Sequence, residues 1–342
     1  MKTPRFDEAR LELAKDNWIE ELKQRNDDPA GIARREWNRL LYGEEHFSAR
    51  DVTSGSLAKI SRQDLEVFHR DYWRPENRIF TVSGDVETEA VLKLLRRHLA
   101  DWPAGGKDTP WPPPEAFNVP EPGLYSVQKD IPQGRVQIGH LGVKRADWGD
   151  PEYVAIQVMN EILGGGGFSS RLMQRIRSDE GLAYSAGSFF DLANPFWQGD
   201  FAMYYQSKSE SVARAAQIAF EEVERIRTEK VSQEELDTAK ASFIETLPGR
   251  FDSSRSVATM FAYDEFFGRD HAYWYDYQKR IEAVTADDVL KAAKKYLRPD
   301  EMVMLVVGDW EAIEKGDADG KATMDSVYDV PVTKVPLRDP LT

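Results

Sequence analysis

Residues 6–26 alternate apolar and charged positions with the period of an amphipathic helix, which Asn26, Asp27, Asp28 and Pro29 stop; a second helix follows over 30–41. Ser61 opens the next helix as N-cap, Asp64 answers it three residues on, and Ile60 and Leu65 stand where a hydrophobic staple would join. Arg74-Pro75 breaks that helix, and the apolar run 78–82 predicts a buried strand ending at Gly84-Asp85, followed by a helix over 86–99. Downstream, 124–129 and 135–143 read as strands, 151–163 as a helix leading into four glycines, and 189–205 as an aromatic-rich strand pattern. Helices are expected over 209–228 and 232–247, the second opened by a Ser232/Glu235 capping box. Thr285, Asp288, Val284 and Val289 then rebuild the cap and staple of the earlier helix, Arg298-Pro299 breaks it, and 302–307 predicts a second buried strand.

These two stretches are one segment written twice. ISRQDLEVFHRDYWRPENRIFTVSGD at 60–85 pairs without a gap with VTADDVLKAAKKYLRPDEMVMLVVGD at 284–309, 224 residues on, and Tyr72/Tyr296, Arg74/Arg298, Pro75/Pro299, Gly84/Gly308 and Asp85/Asp309 are identical. So long a period signals two copies of a whole domain rather than a solenoid. One inserted residue extends the match upstream, where Leu11, Ala14 and Lys15 fall on Leu236, Ala239 and Lys240. Residues 124–229 have no counterpart, so the natural polypeptide is expected to continue on the order of 100 residues ahead of Met1.

The expected fold is therefore α+β: tandem duplicated α/β sandwich domains, each with helices on one face of a mostly antiparallel sheet, the first copy incomplete. Residues 1–102 would be the second half of the first domain and 124–311 the complete second domain. Between them, 103–123 holds seven prolines and reads as an extended, semi-stiff linker; 312–342 reads as a tail wrapping the surface.

Composition narrows the function classes. Apolar residues at 41% and nine tryptophans support a packed core, and no apolar run reaches the 18 or so residues of a membrane span. A net charge of −14 argues against nucleic acid or an anionic membrane as partner. The absence of cysteine removes disulfides, thiolate zinc sites and a cysteine nucleophile. His46, His69, His98, His140 and His271 form no metal-ligand spacing: there is no HExxH and no HxxEH, and no GxSxG elbow either.

The most distinctive string is LGGGGFSSRLMQRIRSDEGLAYS, residues 163–185. Its glycines lack the Lys-Ser/Thr of a phosphate loop; they suit a sharp turn between two helices packed under the sheet. Arg177 follows an apolar helix face, and Tyr184 lies seven residues on at the start of a strand. From spacing alone they are either a surface arginine and a half-buried tyrosine or a pair projecting into one cleft.

With the duplication and the Asp-Asp-Pro helix end, that string resembles the pitrilysin/insulinase family of zinc metallopeptidases, which includes the mitochondrial processing peptidases and the core subunits of the cytochrome bc1 complex. The resemblance covers nearly the whole chain. It implies two α+β halves closing around an extended peptide, with zinc held by an HxxEH helix in the front part of the first domain and a distal Glu. It implies Arg177 and Tyr184 as the catalytic and substrate-binding contribution of the second domain, the guanidinium meeting peptide oxygens and the hydroxyl donating toward the scissile carbonyl.

The distal ligand falls on Glu21, as a metal ligand only in the company of an HxxEH segment. Where active members carry Glu-Arg, this chain has Ala14-Lys15, a departure that points to the branch acting as partner to an active paralogue. The chain alone is thus expected to hold no zinc and to cleave no peptide. Two functions stay open: a peptide-binding member serving a zinc site outside this chain, or a non-catalytic structural or assembly subunit, in either case as a homodimer or heterodimer.

Overall fold

A computed structural model describes residues 2–107, 118–145, 147–192, 195–317 and 320–342. Six strands make one mixed sheet: β1 (Gly123–Gln128), β2 (Gln133–Leu141), β3 (Ala183–Phe190), β4 (Asp200–Lys208), β5 (Val303–Gly308) and β6 (Thr333–Val335), in the order β3-β4-β2-β5-β1-β6. The β3/β4, β4/β2 and β2/β5 ladders are antiparallel, and β1 runs parallel to both β5 and β6. β5 lies between β1 and β2 and every residue of it is buried, which explains its unbroken apolar sequence: a central strand covered on both faces has no polar side to show.

Alternate residues of the strands feed two cores. Met304 and Val306 join Val136, Ile138, Met203 and Tyr205 under a helical layer. That layer contains α6 (Pro151–Asn160), α7 (Arg171–Met173), α8 (Val212–Thr228), α9 (Gln233–Thr246), α11 (Tyr277–Ala283) and α12 (Ala286–Tyr296), with α10 (Ser254–Phe267) beside it. Val303, Leu305 and Val307 point to the other face, where Ile32, Ala33, Trp37, Leu41 and Tyr42 pack on them.

Those five belong to α2 (Pro29–Tyr42), which follows α1 (Glu8–Gln24) and precedes α3 (Ser54–Lys59), α4 (Arg62–Tyr72) and α5 (Thr88–Leu99). Asp28 caps α2 by accepting from the Ala30 and Gly31 amides, and Gly43, at φ +81°, ends it. The sheet is therefore covered on both faces, not on one as the sequence pattern suggested, because the first segment contributes a helix to the second segment's core. The fold class is α+β as expected, with a sheet more mixed than foreseen.

The strand expected at 78–82 does not form. These residues are irregular, and Ile79, Phe80 and Val82 are exposed. A buried strand needs neighbours on both edges, and among the described residues none pairs with this run. The linker's residues 108–117 lie outside the described residues; its end is tied down, since the Asn118 amide donates to the Leu40 and Leu41 carbonyls at the end of α2. The tail supplies β6 and then crosses to the first segment, where the Leu341 carbonyl accepts from the Ser54 amide and the Arg338 carbonyl from the Asn26 side chain.

Candidate functional site

The glycine-rich segment sits where α6 passes through a π-helical turn (Glu161–Gly165) and α7 runs into another (Gln174–Asp179). A Cβ on Gly164 would lie 2.3 Å from the Ser188 backbone nitrogen, so only glycine lets this turn press against β3. Asn160 locks the contact, its side chain bonding both the Ser188 hydroxyl (2.8 Å) and carbonyl (3.3 Å). Gly167, at φ +57°, then reverses the chain and leaves Phe168 exposed. These are the packing and turning roles expected of the glycines.

Three arginines follow, and two are paired with carboxylates. Arg171 grips Glu235 with two hydrogen bonds (2.6 and 3.1 Å), and Arg175 donates to Glu222 and Glu221 (2.6 and 3.1 Å). Arg177 differs: among the described residues no carboxylate pairs with it, and its guanidinium lies over the rings of Tyr184 (4.6 Å) and Phe168 (4.8 Å). The backbone joins them, because the Arg177 carbonyl accepts from Gly181, which turns at φ +64°, and the Ile176 carbonyl accepts from Leu182 at 2.8 Å.

Tyr184 owes its direction to an irregularity in β3. Ala183 pairs with Ser207 but Ala186 with Tyr205, so one extra residue is accommodated on the β3 side. Without the bulge, Tyr184 and Ser185 would face opposite sides of the sheet; with it both are exposed, Tyr184 to 81%. The sequence placed Arg177 and Tyr184 as candidates. Phe168, the second ring under the guanidinium, was missed, although its position directly after the glycine turn was the available signal.

Glu21 is placed elsewhere, exposed on α1 in a groove it shares with Arg25, Arg34 and Arg35. Such a cationic surrounding opposes a divalent ion rather than attracting one. Among the described residues no group of three His, Cys, Asp or Glu side chains could hold a metal, and the residues present do not fit zinc. His140 is buried and pushed down to about 4; its Nε2 accepts from the Arg298 amide, so it works as a neutral strut between β2 and the turn before β5.

One further polar cluster was not foreseen. Where α2 meets β4, the Trp37 indole donates to Asp200 at 2.8 Å and the Tyr42 hydroxyl bonds the same carboxyl. Burial, with Asp191 nearby, pushes Asp200 up to about 6.

Comparison with known proteins matches residues 59–243, more than half of the chain, to the family described as "Peptidase M16 inactive domain". The chain belongs to the peptidase M16 family. An uncharacterized zinc protease of Mycobacterium bovis is 27% identical over 291 residues, which cover 84% of this chain and 65% of that protein. The chain thus spans slightly less than two thirds of the length of this relative. A non-peptidase homolog of Helicobacter pylori is 28% identical over 268 residues, 75% of this chain and 58% of that one. Among solved structures, a peptidase M16 inactive domain from Pseudomonas fluorescens has the same fold, with a TM-score of 0.76 and 24% identity over 90% of this chain and 71% of that one. M16 membership agrees with the pitrilysin resemblance, and the relatives' names place zinc in the family.

Proposed function

We propose that this M16 chain binds extended peptides and that Arg177 and Tyr184 are its contribution to their handling, the hydrolytic zinc centre being held outside this chain. The observation that carries the reading is the contrast within one segment: Arg171 and Arg175 are held by carboxylates, whereas among the described residues Arg177 has no carboxylate partner and lies beside an exposed tyrosine. A guanidinium lying over two rings, with no carboxylate partner among the described residues of a chain of net charge −14, suits peptide carbonyl or carboxylate oxygens, and the Tyr184 hydroxyl adds a donor beside it.

Binding of fluorescein-labelled unstructured peptides, followed by anisotropy, tests this. Arg177→Ala should weaken binding by roughly tenfold or more, the loss expected for a charge-assisted hydrogen bond, with the melting temperature unchanged. Wild-type affinity in Arg177→Ala would overturn it.

A second reading is favoured by the relative named a non-peptidase homolog and by the poor fit to zinc: a partner or assembly subunit whose cleft takes no substrate. Under that reading the chain binds no labelled peptide, and Arg177 and Tyr184 are needed for association with another subunit, which sedimentation of the variants with the partner would reveal.

A further inference from the structure

We infer that the arginine-lined cavity beside α10 is a binding site for a carboxylate carried on an aromatic body, separate from the Arg177–Tyr184 pair. The cavity measures about 890 Å³, within the range of small-molecule sites, and lies between α10, the turns Leu247–Phe251 and His271–Trp274, and the end of β3. Among the described residues its charged lining is four arginines, Arg145, Arg250, Arg255 and Arg269, against one carboxylate, Asp191.

Charge accounting singles this place out. The chain has 59 acidic and 45 basic side chains, so an arginine ordinarily finds an acid. Arg269 does, on buried Asp264, which also accepts from the Trp274 indole at 2.8 Å. Arg250 and Arg255 are exposed at the rim, and among the described residues no carboxylate pairs with either.

Arg145 is the decisive group. It is 3% exposed, its Nη1 donates to the Leu192 carbonyl at 3.3 Å, the Tyr273 hydroxyl lies against it, and among the described residues no carboxylate pairs with it and its Nε and Nη2 make no hydrogen bond of good geometry. The rings of Trp148 (4.3 Å) and Tyr153 (5.2 Å) flank it, but ring faces compensate a buried cation only in part. An anion in the cavity would supply the missing counter-charge: Arg145 contributes field from the floor, and Arg250 and Arg255 contribute free donors at the mouth. The walls choose the body of the ligand. Trp148, Trp274, Tyr277 and Phe190 offer aromatic faces, which suit a planar apolar group better than a hydrated phosphate.

N-acetyl-phenylalanine carries this chemistry, and calorimetric titration of the chain with it is the test. Saturable binding is expected, with loss of roughly tenfold or more in affinity for N-acetyl-phenylalanine amide and in the Arg250→Gln/Arg255→Gln double variant, whose exposed sites leave the fold intact. Arg177→Ala should bind as the parent does, which separates this site from the peptide reading. A longer acetylated peptide ending in phenylalanine distinguishes the sources: tighter binding than the single residue assigns a peptide C-terminus, equal binding a small aromatic acid. Equal affinity for acid and amide, equal affinity for inorganic phosphate, or no saturable binding of the acid would overturn the inference.

Discussion

Residues 60–85 and 284–309 begin alike and end differently. Ser61 and Thr285 each accept from the amide three residues on, and Asp64 and Asp288 each return a bond to the cap amide (2.8 and 3.0 Å). Both helices therefore start from the same local device, which needs nothing beyond its own four residues. After the Arg-Pro break they part. The Arg298 amide donates to buried His140 and its guanidinium to the Leu141 carbonyl, anchoring the turn to β2, whereas the Arg74 amide donates to the nearby Tyr72 carbonyl and its guanidinium to the Pro103 carbonyl of the linker. Gly308 is pressed within reach of Ile313 and Gly134; Gly84 has open space where a Cβ would sit. Equivalent sequence gives a buried strand in one place and an exposed coil in the other, so a helix cap is written locally, while a central strand exists only with its neighbours.

Hydrogen exchange reads that difference on its largest scale. Amides of β5 should open only with global unfolding, while those of 78–82 should exchange at least about a thousandfold faster. Equal protection would break the comparison. Within the first segment, α2 should behave like β5, because its apolar face is packed on the sheet.

Side-chain truncation probes the same contrast energetically. Met304→Ala removes a fully buried side chain and should cost about 2–5 kcal/mol in denaturant unfolding. Phe80→Ala, at the matching position but 43% exposed, should stay within about 0.5 kcal/mol.

The α2 seat sharpens the boundary between the two behaviours. Asp200 has a folded-state value of about 6, above the ordinary carboxylate range, so its neutral form is the one the fold favours. The stability it confers is present at low pH and is lost as pH rises from about 4 through about 6, by roughly 2–3 kcal/mol. Asp191 and the donors Trp37 and Tyr42 face it. Asp200→Asn should flatten this part of the pH–stability curve; an unchanged curve would place the titration elsewhere.

The smallest effect concerns the caps. Thr285→Ala should cost about 1 kcal/mol globally. Ser61→Ala should instead speed exchange within α4 and change global unfolding by only a few tenths, since α4 lies outside both cores.

What could be read from the sequence follows the same division. The caps at Ser61, Ser232 and Thr285, the helix stop at Asp28-Pro29 and the turning role of the glycines are short-range chemistry, and each was legible. The seat of α2 on the far face of the sheet was not, because the apolar pattern of 29–42 says that a face is buried but not against what. The strand at 78–82 was misread for the converse reason: its composition is that of a covered strand, and composition carries no information about whether a cover is present. In the site, Arg177 and Tyr184 stood out in the string, but their convergence depends on the bulge after Ala183, which no residue type announces.

The central claim, that the Arg177–Tyr184 pair is reserved for substrate, is tested most directly by Tyr184→Phe, which keeps the ring beneath the guanidinium and removes only the hydroxyl. In the proposed zinc-holding protein or heteromer reconstituted with this chain, peptide turnover should fall by roughly a hundredfold, the loss expected for a donor to the reacting carbonyl. Unfolding stability measured on the same sample should change by no more than about 0.5 kcal/mol, since Tyr184 is exposed. A destabilised fold with turnover intact would contradict the account and make the pair structural.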